Sequence, residues 1–95
     1  MARINIIRTS PFKTKDAEHS LSYASKDDIF VLMDDGSYSL AHAPIIKKLL
    51  QFKVYVLQEH LEVRNIALIE GINKIDMADF VKLTTSHSPV VTWQW

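Results

Sequence analysis

The sequence contains no cysteine, which removes disulfides, thiolate metal ligands and any thiol or persulfide nucleophile from this chain. Glycine is scarce, with only Gly36 and Gly71 present. Dinucleotide and Walker-type phosphate loops need several closely spaced glycines, so both are excluded. Neither charge sign predominates: 11 Lys and Arg balance 11 Asp and Glu, a formal net charge of zero. A nucleic-acid-binding domain carries a basic excess to neutralise phosphates, so no direct nucleic-acid binding is expected. No apolar run approaches the roughly 18–20 residues of a membrane span, and Met1–Ile7 lacks the apolar core of a secretory leader. The expectation is a soluble cytoplasmic protein with no membrane partner.

What is present is ordinary for a globular protein: 95 residues, 47% apolar and 23% charged, read as a single domain over 1–95. The chain is organised around Ile29-Phe30-Val31-Leu32-Met33-Asp34-Asp35-Gly36. An unbroken apolar, β-rich run reads as a strand buried on both faces, as in the centre of a parallel sheet. Asp34-Asp35-Gly36 then makes a turn. The carboxyl end of such a strand is where ligands and partners bind in open α/β sheets.

Taken in order, Ile4, Ile6 and Ile7 predict a first strand over about 2–8, and Pro11 forces Ser10 into an extended or turn conformation. Asp16 is placed to cap a helix through about Ala24. After Gly36, Pro44 divides a helical pattern into a turn over Tyr38–Ala43 and a helix from Pro44, with Ile45, Ile46, Leu49 and Leu50 facing inward. Val54–Leu57 is a third strand, Glu59–Asn65 a short helix with Asn65 as its left-handed stop. The segment Ile66–Ile72 reads equally as loop or helix, and Ile75 marks a very short strand. Asp76 caps a helix over Met77–Ser86, with Met77, Phe80, Val81 and Thr84 as its inward stripe. The run Thr84-Thr85-Ser86-His87 bonds the last helical carbonyls, and Ser88-Pro89 leads to a closing strand Val90–Trp95. Strands alternating with helices predict a small three-layer α/β/α domain with a mainly parallel sheet.

The search for chemistry returns little. No two histidines are spaced to share a helix face and no HExxH occurs, so His19, His42, His60 and His87 read as surface or capping residues. No serine sits in a nucleophile elbow. Asp34 and Asp35, at the carboxyl end of a strand, are the candidates for acid–base or Mg²⁺ chemistry. The competing reading is an Asx turn entering a helix. Neither catalytic residues, metal ligands nor a cofactor are assigned. In the closing strand Val91, Trp93 and Trp95 share a face. Trp93 reads equally as core or interface, and Trp95 as interface, where tryptophan is enriched.

Several landmarks in order resemble the TusB/DsrH branch of the DsrE/F/H-like family. They are Ile7-Arg8-Thr9-Ser10-Pro11-Phe12, Leu32-Met33-Asp34-Asp35-Gly36, Lys53-Val54-Tyr55-Val56-Leu57 with Glu59 and Leu61, Ile75-Asp76 leading into Asp79-Phe80-Val81-Lys82-Leu83-Thr84, and a tryptophan near the end. The resemblance implies a small α/β subunit that assembles with TusC-like and TusD-like paralogues as a dimer of heterotrimers. Such complexes pass persulfide sulfur, by way of a TusE-like acceptor, towards 2-thiolation of the wobble uridine of tRNA; related Dsr complexes serve sulfur oxidation. The sulfur-bearing cysteine lies on the TusD/DsrE-type subunit. Some DsrH-type members have another on the first helix, placed here at Ser20. Serine forms no persulfide, so the resemblance implies a non-catalytic, supporting subunit, with Asp34, Asp35, Gly36, Ser37 and Tyr38 and the tail Trp93–Trp95 as partner contacts. Two alternatives stay open: a small ligand-binding protein or enzyme using Asp34 and Asp35 with a histidine, and a homo-oligomer that stands alone.

Overall fold

The computed structural model describes residues 3–86 and 89–93. Its centre is a five-stranded sheet in the order β4-β3-β2-β1-β5, made of β1 (Ile4–Ile7), β2 (Ile29–Leu32), β3 (Lys53–Leu57), β4 (Asn73–Ile75) and β5 (Val90–Trp93). All four pairings are parallel. Every residue of β1 and β2 is buried, as the unbroken apolar runs require: a parallel sheet is covered on both faces, leaving no wet side for alternation to mark.

Strand order dictates where the helices go. From β1 to β4 the chain steps across the sheet in one direction, so right-handed crossovers place successive helices on one face. These are α1 (Asp16–Tyr23), α2 (Ala43–Leu49) and α3 (Gln58–Arg64), with a 3-10 helix over Asp34–Ala41 preceding α2. Ala17, Leu40, Ile45, Leu49 and Leu61 pack there against Ile7, Phe30, Leu32, Val54 and Val56. The return from β4 to β5 runs the other way, so α4 (Met77–Ser86) covers the opposite face. Phe80 and Leu83 lie there on Ile4, Ile6, Ile29 and Val31. The result is the expected three-layer α/β/α domain with a parallel sheet.

Local readings hold in some places and fail in others. Asp76 caps α4, its Oδ1 accepting from the Asp79 N–H at 2.8 Å. Asn65 ends α3 at φ 53. The hydroxyls of Thr84, Thr85 and Ser86 donate to the carbonyls three residues back, while His87 and Ser88 lie outside the described residues. Asp16 is not a capping residue: it is the first residue of α1, and its Oδ2 accepts from Thr9 Oγ1 at 2.6 Å. The turn placed at Tyr38–Ala43 is instead a 3-10 helix starting at Asp34. His42 then caps α2, its Nδ1 accepting from the Ile45 N–H, with Pro44 in the first turn. Residues 66–72 form neither helix nor strand, yet Ile72 is buried and Ile66 and Ile69 pack on the core. Leu50 is exposed, and Met77 and Val81 are 44% and 52% exposed. Of the predicted stripe of α4 Phe80 does pack inward, and its companion there is Leu83 rather than Met77 or Val81.

At the amino edge of the sheet a single buried carboxylate gathers the polar groups. Asp28 Oδ2 accepts from Arg3 Nε and Asn5 Nδ2, each at 3.1 Å, and from the Ser25 N–H at 3.2 Å; Oδ1 accepts from the Arg3 N–H at 3.2 Å. Asn5 Oδ1 in turn accepts from Trp93 Nε1 at 2.9 Å, which ties β5 to β1, and the Trp93 ring stacks on Tyr23. Burial alone pushes the Asp28 carboxyl up. The donors from Asn5, Arg3 and Ser25 together outweigh it, so it ionises below the usual 3.8.

A carboxyl depressed by folding stabilises the protein fully above its unfolded value and loses that contribution as pH falls through the folded one. Asp28→Ala leaves a guanidinium, an amide and two N–H groups without their acceptor and should cost about 3–5 kcal/mol at neutral pH. The gap in urea midpoint between wild type and Asp28→Asn should be constant at neutral pH and shrink below about pH 4. A gap that widened on acidification would refute this account.

Candidate functional site

The carboxyl edge of the sheet brings together the ends of β1, β2 and β3. β2 is in register with β1 up to the Ile7–Leu32 pair, and Ile7 C=O accepts from the Met33 N–H at 3.0 Å. The next residues fold back over β1, with the Gly36 N–H donating to Met33 C=O at 2.8 Å. Gly36 then lies so close to the Ile7 carbonyl that any Cβ would overlap it. Glycine is required here by space, not merely by turn preference. Asp34 takes the strain of the reversal at φ 49, a left-handed conformation that costs a non-glycine residue roughly 1–2 kcal/mol.

Three side chains compensate Asp34 and its neighbour. Arg8 Nε donates to Asp34 Oδ2 at 2.8 Å. The Asp34 N–H donates to His60 Nδ1 at 2.7 Å, while Asp34 Oδ1 lies 3.8 Å from the same nitrogen. Arg64 Nε donates to Asp35 Oδ1 at 3.0 Å and its Nη1 to His60 C=O at 3.3 Å. The bond from Asp34 fixes the imidazole as an acceptor at Nδ1, so the neutral ring carries its proton on Nε2. Each carboxylate has its own arginine.

The predicted contact residues fall at different depths. Asp35 is exposed, Asp34 and Tyr38 are half-buried, and Gly36 and Ser37 are buried. Asp35 and Tyr38 line a cleft of about 300 Å³ with Ser10, Phe12 and Lys13. Trp93 is half-buried at the other end of the sheet order, and Trp95 lies outside the described residues. Ser20 is buried in α1, its hydroxyl donating to Ala17 C=O at 2.9 Å. Sequence reasoning missed Arg8, His60 and Arg64. The available signal was positional: His60 comes three residues after the end of β3, in the first turn of α3, and so belongs near the carboxyl edge with Asp34.

That edge also contains the fold's switch point. β3 leads to a helix on one face and β4 to a helix on the other, which opens a crevice between their carboxyl ends. It is small, about 10 Å³, and lined by Leu57, Glu59, His60, Ile75, Asp76 and Met77. This is about the space of one water molecule. Among the described residues no group of three or more His, Asp or Glu is arranged to hold a metal ion, and no helix is long and apolar enough to cross a membrane.

A family model described as DsrH-like protein matches residues 9–90, and the chain belongs to the DsrH-like family. It is similar to Protein TusB of Shigella flexneri, with 32% identity over an alignment covering 95% of this chain and 99% of that one. Among solved structures it resembles a conserved protein of unknown function from Bacteroides thetaiotaomicron at a TM-score of 0.63. That match covers 95% of this chain and 93% of the other at 14% identity, so the likeness is one of fold.

Gly36→Ala should be costly because the obstacle is a main-chain carbonyl inside a sheet. A loss of about 3 kcal/mol is expected, or roughly 12–24 °C in Tm for a domain of this size. Wild-type thermal stability in the variant would show that the turn moves off β1 freely.

Proposed function

We propose that this chain is a non-catalytic subunit supporting a partner's reactive cysteine in a TusBCD-like sulfur relay, which passes persulfide sulfur towards 2-thiolation of the wobble uridine of tRNA. The observation that carries this reading is a DsrH-like chain with no cysteine at all. Sulfane sulfur moves by attack of a thiolate on the donor, and a serine hydroxyl in its place performs no such step. The sulfur must ride on another subunit. Its partners are then TusC-like and TusD-like paralogues in a dimer of heterotrimers, with a TusE-like acceptor downstream and a cytoplasmic location. The missing thiol favours this version over a DsrH-like role in sulfur oxidation, where some members keep a cysteine on the first helix.

The contact regions on this reading are the Asp34–Tyr38 turn and the Trp93–Trp95 tail. Asp35 and Tyr38 offer a charge and an aromatic beside an open cleft, and held turns lose little entropy on docking. The rival enzyme reading, in which Asp34 and Asp35 act with a histidine, has the right histidine nearby in His60. It has both carboxylates already neutralised by Arg8 and Arg64.

Co-expression with TusC- and TusD-like paralogues and native mass spectrometry should give a mixed complex; persistent failure to co-assemble would overturn the proposal. Within that complex, Asp35→Lys should weaken assembly about tenfold. Because the substitution also removes the partner of Arg64 and sets two cations together, the variant's own stability is measured alongside and should fall by no more than about 1 kcal/mol. Unchanged assembly would remove the turn from the interface. Incubated alone with a labelled persulfide donor, the chain should take up no sulfur, and reproducible uptake would refute the supporting role.

A further inference from the structure

We infer that His60 is a two-position, pH-sensitive clamp on the turn that follows β2. The inference concerns the isolated chain and does not depend on the sulfur-relay reading. With the ring neutral, Nδ1 accepts the Asp34 N–H at 2.7 Å and holds Asp34 at φ 49. Once Nδ1 is protonated it has no lone pair to offer, and two N–H groups then face each other across that distance. The imidazolium has another partner close by: Asp34 Oδ1, 3.8 Å away. Protonation therefore exchanges the hydrogen bond from the Asp34 N–H for an ion pair with the same residue's carboxylate. The carboxylate is drawn towards the ring, and the backbone of Asp34 is released from its strained conformation.

The groups around the ring permit both positions. From the end of β1, Arg8 holds the other oxygen of Asp34. From the 3-10 helix come Asp34 and Asp35. From α3 itself come Glu59 and Arg64, the latter already engaged with Asp35 and the His60 carbonyl. From the junction of β4 and α4, Asp76 lines the small crevice that also contains Glu59 and His60. The clamp bears on a turn that is otherwise pinned at Met33, bonded to Ile7, and at Gly36, seated against the Ile7 carbonyl, so the motion is confined to Asp34 and Asp35.

Site-resolved NMR on the full chain from pH 8 to pH 5 tests this. At pH 8 the His60 ring should be the Nε2–H tautomer. As His60 titrates, the Asp34 amide resonance should move with it and lose at least tenfold in hydrogen-exchange protection, after correction for the intrinsic pH dependence. His60→Asn places a non-titrating oxygen where Nδ1 stood, and should keep the Asp34 amide protected at pH 5. A ring protonated on Nδ1 at pH 8, an Asp34 amide indifferent to His60 protonation, or an Asp34 amide that still loses its protection at pH 5 in His60→Asn would each overturn the inference.

Discussion

The carbonyl of Ile7 is the point on which the carboxyl edge of this protein turns. It accepts the Met33 N–H at the end of β2 and leaves no room for a Cβ at position 36. A chain leaving β2 under those two conditions has to reverse immediately. The reversal falls on Asp34, whose backbone pays in strain and recovers through His60 and Arg8. Three separate strands of evidence in the sequence, an apolar run, a lone glycine and an isolated histidine, thus become one arrangement. The 3-10 helix that follows is its continuation: a segment starting against a strand end, with Leu40 already committed to the core, has a short tight path into α2.

The two edges of the sheet are built differently. At the amino edge the polar groups are sealed in, and Asp28 holds β1, the α1–β2 loop and, through Asn5 and Trp93, β5. Burial of a carboxylate is tolerated because its donors nearly saturate it. At the carboxyl edge the charged pairs are half-exposed and screened, and such pairs contribute little net stability. The amino edge therefore suits permanence, while the carboxyl edge is where groups are free to exchange partners. Trp93 sits opposite Ile7 at the carboxyl end of β5, yet it is tied back to the buried polar group: its indole N–H is spent on Asn5 and its ring on Tyr23.

The sheet was legible because parallel strands buried on both faces must be nearly all apolar, and Ile29–Met33 could be little else. The helix capped by Asp76 was legible because capping is local. Leu50, Met77 and Val81 were misread for one reason: periodicity gives a helix's apolar face but not its rotation on the sheet. On α4 the chain presents apolar residues at 77, 78, 80, 81 and 83, and packing selects Phe80 and Leu83. The site was legible only in part. Asp34 and Asp35 announced themselves by following a buried strand, whereas Arg8, His60 and Arg64 reach them across 26 to 29 positions of sequence, a distance that no spacing rule covers.

Ser20 bears on how far this chain stands from sulfur chemistry. Serine and cysteine differ by one atom, and a hydroxyl at the position where the family resemblance places a thiol invites the idea that one substitution separates the two roles. The surroundings argue otherwise. Ser20 is buried with its hydroxyl turned to its own helix, and a thiol there would be shielded from any donor. Desolvation by burial also disfavours the thiolate that attack requires. A working site would need α1 to be placed differently as well, with the residue brought to the surface. On the supporting-subunit reading the loss of the thiol and the tight seating of α1 belong together: a helix released from holding a nucleophile in solvent is free to spend that position on packing.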